Sequence, residues 1–277
     1  MSQVWTTALD DPDAARQISA GKFGNYHDIS WAPDGKIVYV SEESGSRDIW
    51  EMESDGSSQK QLTVGTQNYI PRVSPDGRHI VFSSDRTGVP HLWRMDNDGN
   101  SLVQLTFGDA EYVPRFSLDG EWIYHTALIS GDQYLSKVSR YGGESTKVLD
   151  YPSKFGIPSP DGRWIACQYQ DESRRWRIGI VPAEGGPPAR TLNIPTSPRQ
   201  TLRWSPDGQA VTYIGDQKKM DNIWSQPLLG KALTRPLTNF SSEQVFSFDW
   251  SPDGNRIACL RGIETTDVIY LSGATSP

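Results

Sequence analysis

The chain has 277 residues and a formal net charge of −7, from 27 Lys and Arg against 34 Asp and Glu. That balance argues against non-specific binding to nucleic acid or to an anionic membrane surface, since both need a basic face. Ten Trp, eleven Tyr and eight Phe beside 25 Gly and 19 Pro favour strands and turns over helices, and no run of about 18 apolar residues offers a membrane span.

In chain order, the opening Met1-Ser2-Gln3-Val4-Trp5 lacks the basic-then-apolar pattern of a leader. Val4-Trp5-Thr6-Thr7 and Arg16-Gln17-Ile18-Ser19 are two short β-rich runs. A repeat then sets in. Pro33-Asp34-Gly35 is followed by Pro75-Asp76-Gly77, the degenerate Leu118-Asp119-Gly120, Pro160-Asp161-Gly162, Pro206-Asp207-Gly208 and Pro252-Asp253-Gly254, at steps of 42 to 46 residues.

Each unit reads alike. An extended segment such as Ile70-Pro71-Arg72-Val73-Ser74 ends at the Asp-Gly turn, which supplies the positive φ of a tight hairpin. A second run follows, as in Ile80-Val81-Phe82 or Ile165-Ala166-Cys167. A third carries an aromatic, as in Ile49-Trp50, Leu92-Trp93 or Ile223-Trp224, and a fourth is Gln61-Leu62-Thr63, Gln104-Leu105-Thr106 or Pro236-Leu237-Thr238. Four short strands in about 45 residues is the pattern of a propeller blade. The expected fold is all-β: a six-bladed β-propeller of four-stranded antiparallel blades filling residues 1–277 as one domain.

Gln-Leu-Thr, then Pro-Arg-x-Ser-Pro-Asp-Gly, a hydrophobic strand and Asp-x-Ile-Trp resembles the WD-repeat-like units of TolB-type propellers, over nearly the whole chain. Residues 221–228 and 246–251, with 266–269, resemble propellers attached C-terminally to some bacterial serine/threonine kinases. That second resemblance implies a sensor or scaffold domain and a periplasmic or extracytoplasmic location for the parent protein. No kinase motif is present, so the chain is at most the propeller portion of such a protein.

A propeller must seal its first blade to its last, or two sheet edges stay open. Residues 246–250, 257–260 and 266–271 read as three strands of the sixth blade, with residues 15–19 as its outer strand. Residues 4–7 are then surplus, giving twenty-five strands where six blades need twenty-four; the surplus suggests a longer parent with a further blade upstream.

Chemistry-bearing residues are dispersed. Cys167 and Cys259 hold equivalent places in blades four and six, with blade five between them, so they read as buried thiols rather than a disulfide. His125 stands where Phe82 and Tyr213 stand in other units and reads as a core residue; His79 and His91 converge with no metal-binding group. The Asp96-Asn97-Asp98-Gly99-Asn100 string has a spacing too short for a calcium loop and reads as a hairpin turn. No nucleophile elbow, phosphate loop or zinc-protease motif is present, so no catalytic residue, metal or cofactor is assigned.

Equivalent positions of a cyclic array meet around its axis. Three residues before the turn Pro or Leu118 stand Ser30, Arg72, Arg115, Ile157, Arg203 and Asp249. The arginines of this set belong to the repeat consensus and read as partners of carboxylates in neighbouring blades. Six before it stand His27, Tyr69, Tyr112, Lys154, Gln200 and Phe246, and seven before it Tyr26, Asn68, Glu111, Ser153, Arg199 and Val245. Of the last two sets His27, Asn68, Tyr69, Glu111, Tyr112, Lys154, Arg199, Gln200 and Phe246 are the candidate ligand-binding residues of a funnel face. The expected function is a non-catalytic, monomeric binding or sensor module for a protein, a peptide segment or a small ligand. The alternatives are a propeller hydrolase or lyase with acids and His27 at the funnel mouth, and the gating propeller of a serine peptidase.

Overall fold

A computed structural model describes residues 2–11, 15–19, 28–195, 201–217, 220–229 and 233–263. They form six four-stranded antiparallel sheets and no helix. The chain opens with β1 (Ser2–Ala8) and β2 (Arg16–Gln17), which belong to the last sheet. The first blade is β3 (Ile29–Trp31), β4 (Ile37–Ser41), β5 (Asp48–Met52) and β6 (Lys60–Gln61); the second is β7 (Asn68–Val73), β8 (His79–Ser84), β9 (His91–Asp96) and β10 (Val103–Gln104). The third is β11 (Ala110–Phe116), β12 (Trp122–Ile129), β13 (Asp132–Ser139) and β14 (Thr146–Lys147); the fourth is β15 (Ser153–Pro158), β16 (Trp164–Gln170), β17 (Trp176–Pro182) and β18 (Arg190–Leu192). The fifth is β19 (Leu202–Trp204), β20 (Ala210–Gln217), β21 (Met220–Pro227) and β22 (Arg235–Pro236). The sixth pairs β23 (Gln244–Trp250) and β24 (Arg256–Gly262) with β1 and β2, in the order β2-β1-β24-β23.

The sealing of the ring corrects the sequence reading. β1 lies along β24 with Val4 opposite Leu260 and Trp5 opposite Cys259, so residues 4–7 are the third strand of the sixth blade and are not surplus. Two N-terminal strands complete that blade, since Trp5 also faces Gln17 in β2 and the Val4 amide donates to Ser19 Oγ at 2.9 Å. The described residues hold twenty-four strands, four for each of six blades. Residues 266–271, read earlier as that third strand, lie outside the described residues.

The turns follow from their chemistry. Gly77 takes φ of 71°, Ser74 Oγ donates to Asp76 Oδ1 at 2.6 Å, and the His79 amide returns to Ser74 Oγ at 3.0 Å. Ser117, Ser159, Ser205 and Ser251 make the same bond to their aspartates at 2.5 Å. These serines hold Asp76, Asp119, Asp207 and Asp253 below the usual carboxylate range and Asp161 down to about 2.

The apolar core is distributed around the ring. Each of the six buried clusters joins one adjacent pair of blades: Val38, Ile49, Phe82 and Met95 join the first two, and Ile223, Phe240, Phe248 and Cys259 the last two. The closing interface is built alike, from Val4, Ile18 and Leu260 against Ile29, Ile37 and Tyr39. Burying both faces of every sheet in this way leaves the inner strands to line an axis rather than a solid core.

Candidate functional site

Four of the inner strands carry one extra residue each. The register slips between Tyr69 and Arg72 in β7, Tyr112 and Arg115 in β11, Lys154 and Ile157 in β15, and Val245 and Ser247 in β23. Such a bulge re-aims the side chains beyond it. In three blades it contains a bulky residue in the left-handed region, Ile70 (φ 53°), Val113 (φ 56°) or Phe155 (φ 58°). A conformation so uncommon for these residue types costs about 1–3 kcal/mol and persists only where the surroundings impose it. The equivalent position is Asp28 in the first blade and Ser247 in the sixth.

Asp28 is the hub of the axis. Its buried carboxylate accepts close hydrogen bonds from Arg72 Nη2 and Ser247 Oγ, a bond from Arg203 Nη2 at 3.1 Å and a longer one from Arg115 Nη2 at 3.5 Å. Four other blades thus send a side chain to one carboxylate. The arginines are held alike, for Nη1 of each donates to the carbonyl just before it: Pro71 at 2.8 Å, Pro114 at 2.9 Å and Leu202 at 2.8 Å. Asp249 is the second carboxylate, accepting from Arg203 Nε at 3.0 Å and from the Trp31 amide at 2.9 Å. Arg72 and Arg203 thus meet carboxylates of neighbouring blades, Asp28 and Asp249, as expected, while Arg115 of the third blade and Arg203 of the fifth also reach Asp28 of the first.

The electrostatics follow. Burial alone would raise the Asp28 carboxyl, but Arg72, Arg203, Arg115 and the Ser247 hydroxyl outweigh it and hold the group well below the usual carboxylate range. Burial pushes Arg72 down to about 10. Arg115 is pushed well below its ordinary value by burial and by repulsion from Arg72 and Arg203, which Asp28 and Asp249 offset only in part. Beside this cluster, where the inner strands run into the Pro-Asp-Gly turns, lies a cavity of 310 Å³ whose walls include Arg72, Arg115, Asp249, Trp31 and Trp250.

The candidates of the funnel face divide. Asn68 is fully buried, its amide donating to the Arg47 carbonyl at 3.0 Å and to Thr66 Oγ1 at 2.9 Å while Oδ1 accepts from Arg86 at 3.0 Å. Glu111 is buried between blades, with Oε2 on His91 Nδ1 at 2.7 Å and Thr106 Oγ1 at 2.9 Å, and Oε1 accepting from the Gly108 amide at 2.9 Å. His91 therefore meets one carboxylate, a pairing that the spacing in the sequence does not reveal. Phe246 is buried in the closing interface. Asn68 and Glu111, each seven before its turn, face the preceding blade, and Phe246, six before its turn, is itself the residue inserted at the bulge of β23, so these three belong to the scaffold rather than to an open ring. Tyr69, Tyr112 and Lys154 are half-buried, with the Arg47 guanidinium 5.2 Å from the Tyr69 ring and Lys154 Nζ 4.1 Å from that of Trp176. His27, Arg199 and Gln200 lie outside the described residues.

His125 is fully buried, with Nε2 2.8 Å from Ser145 Oγ. Both cysteines are buried and unbonded. The Asp96–Asn100 segment is a hairpin turn, closed by the Gly99 amide on the Asp96 carbonyl at 3.0 Å. Among the described residues no group of three or more His, Cys, Asp or Glu is placed to hold a metal ion.

Comparison with known proteins fits this architecture. The family model of the TolB beta propeller domain matches residues 2–185. An uncharacterised protein of Agrobacterium fabrum, Atu1656, is 31% identical over 137 residues, a match that spans 47% of this chain and 45% of that protein, so the chain covers less than half the length of this curated relative. Among solved structures, a TolB-type protein from Agrobacterium tumefaciens is similar with a TM-score of 0.75 at 18% identity, covering 95% of this chain and 99% of the other. TolB from Acinetobacter baumannii is similar with a TM-score of 0.66 at 18% identity, covering 94% of this chain and 63% of that one. At such identities the likeness concerns the fold alone.

Proposed function

The chain belongs to the TolB beta propeller domain family, and from that premise we propose that it is a non-catalytic recognition module that takes a protein or peptide segment at its axial opening. The observation that carries this reading is the convergence of Asp28, Arg72, Arg115, Arg203 and Ser247, from five blades, beside an open cavity. A site assembled from five blades of a closed ring is rigid, and rigidity lowers the ordering cost of binding. The half-buried Tyr69 and Tyr112 supply aromatic anchors on the inner strands. In its finer form the proposal places the module outside the cytoplasm as the sensing part of a kinase-linked protein, on the likeness carried by residues 221–228 and 246–251.

Selection of binders from a displayed peptide library tests the proposal. Enriched peptides are expected to lose binding when Tyr69 and Tyr112 are replaced together by Ala, or when Arg115 is replaced by Gln. Selection that enriches nothing, or peptides indifferent to both sets of substitutions, would overturn it, as would turnover on a peptide or glycoside panel that disappears in a His27→Ala variant.

A further inference from the structure

Arg115 is a buried cation short of partners. A guanidinium offers five N–H groups. That of Arg115 has two hydrogen bonds among the described residues, one to the Pro114 carbonyl at 2.9 Å and one to Asp28 at 3.5 Å, the outer limit for such a bond. Among the described residues its Nε has no partner, nor has that of Arg72, although both residues are more than nine-tenths buried. Asp28 is already shared among three guanidinium groups, and Asp249 is engaged by Arg203 and the Trp31 amide. Three cations against two carboxylates leave one positive charge over, in a setting where an uncompensated charge is costly.

Arg72 and Arg115 both line the 310 Å³ cavity, and Trp31 and Trp250 give it flat apolar walls. At about 30 Å³ for each water, the space suits a small organic anion or the last residue of a peptide. A monoanion matches the single excess charge, whereas the Asp249 carboxylate on the same wall disfavours a dianion. A planar carboxylate also fits the guanidinium edge geometrically.

We propose that this cavity is a receptor site for a carboxylate monoanion, either a free small carboxylate or the chain-terminal carboxylate of a peptide, paired with Arg115 and Arg72 between Trp31 and Trp250. This inference rests on the recognition role proposed above and names the chemistry of what is recognised.

Calorimetry and tryptophan fluorescence on the full chain test it with five probes: acetate, succinate, inorganic phosphate, tetra-alanine with a free C-terminus, and tetra-alanine amide. Saturable binding of acetate or of the free-acid peptide is expected, weakened about tenfold or more by Arg115→Gln, the range expected for loss of a charge-assisted hydrogen bond. Asp249→Asn raises the excess charge and is expected to tighten binding several-fold, a gain that damage to the fold does not mimic. Acetate binding as tightly as the free-acid peptide identifies a free carboxylate as the source, and preference for the peptide identifies a chain terminus; both support the site. Equal binding of the acid and amide peptides without acetate binding, phosphate binding tighter than either carboxylate, no effect of Asp249→Asn, or no carboxylate bound at all would overturn it. Library peptides that still bind and depend on Tyr69 and Tyr112 would leave the recognition role standing while the carboxylate site fails.

Discussion

Arg203 of the fifth blade donates to Asp28 of the first at 3.1 Å, although 175 residues of chain separate them. The contact crosses the axis, so it reports on the closed ring rather than on either blade. Replacing Asp28 by Asn leaves Arg72, Arg115 and Arg203 facing one another with Asp249 as the remaining carboxylate. Breaking a buried ion pair from one side costs about 3–5 kcal/mol, and a loss of that size in urea unfolding at pH 7 is the expected result. A loss under about 1 kcal/mol would show that the cluster does not hold the ring together.

The same group fixes part of the acid response. Because the folded-state pKa of Asp28 is depressed, its contribution is complete above the unfolded carboxylate value near 4 and is lost as pH falls below it. Asp161, held down to about 2, and the other turn aspartates act in the same direction. Urea midpoints measured from pH 5 to pH 2 are expected to fall steeply for the native sequence and more gently for Asp28→Asn.

His125 governs a higher window. Burial pushes its imidazole down to about 4, while in the unfolded chain it titrates near 6.5. Between these values the unfolded state binds the proton and the folded state does not, so stability linked to His125 is complete above about pH 6.5 and declines as pH falls towards 4, by up to about 3 kcal/mol. His125→Phe, which installs the residue that Phe82 provides in the second blade, is expected to flatten the midpoint between pH 6.5 and 4. A native sequence already flat in that range would exclude the effect.

Gly56 tests the sealed interface. It sits at φ of 89°, and a Cβ there would stand 1.8 Å from the Ile18 carbonyl oxygen of the last blade. Gly35 has nearly the same φ, 91°, with nothing within 4 Å of its would-be Cβ. Gly35→Ala is expected to cost about 1 kcal/mol from backbone strain alone and Gly56→Ala at least about 2 kcal/mol. Hydrogen exchange should quicken at Val4 and Ile18 in the second variant only.

Cys167 and Cys259 are fully buried, and burial pushes both thiols up to about 12. Neither should react with a thiol-specific disulfide reagent at pH 8 in the folded protein, and both should react promptly in denaturant. Prompt reaction of one thiol in the folded state would mark a local opening of its blade.

What could be read from the sequence and what could not have the same origin, the repeat. The Asp-Gly turns were legible because only a short set of residues accepts that backbone, and Gly77 and its equivalents take the expected positive φ. The third-strand role of residues 4–7 was also visible, since Trp5 precedes Ser19 by 14 residues as Trp224 precedes Thr238; it was overridden by the pattern of residues 266–271. Asp28 left no such trace. It occupies a place held elsewhere by Ile70, Val113 and Phe155, and only the bulge reveals that this place can address the axis. Asn68 and Glu111 were misplaced for the same reason, because counting back from a turn assumes a strand without an inserted residue.

The pairing of β1 with β24 also sets a timetable. On a ribosome adding about 5–20 residues per second, the partner of Val4, which is Leu260, is made tens of seconds after it. The second to fifth blades can assemble in that interval from strands already in hand, while Val4 and the other apolar residues of β1 wait uncovered. Until β24 has been made the nascent chain therefore carries an unmatched β-segment, and the ring closes only after Leu260 has emerged.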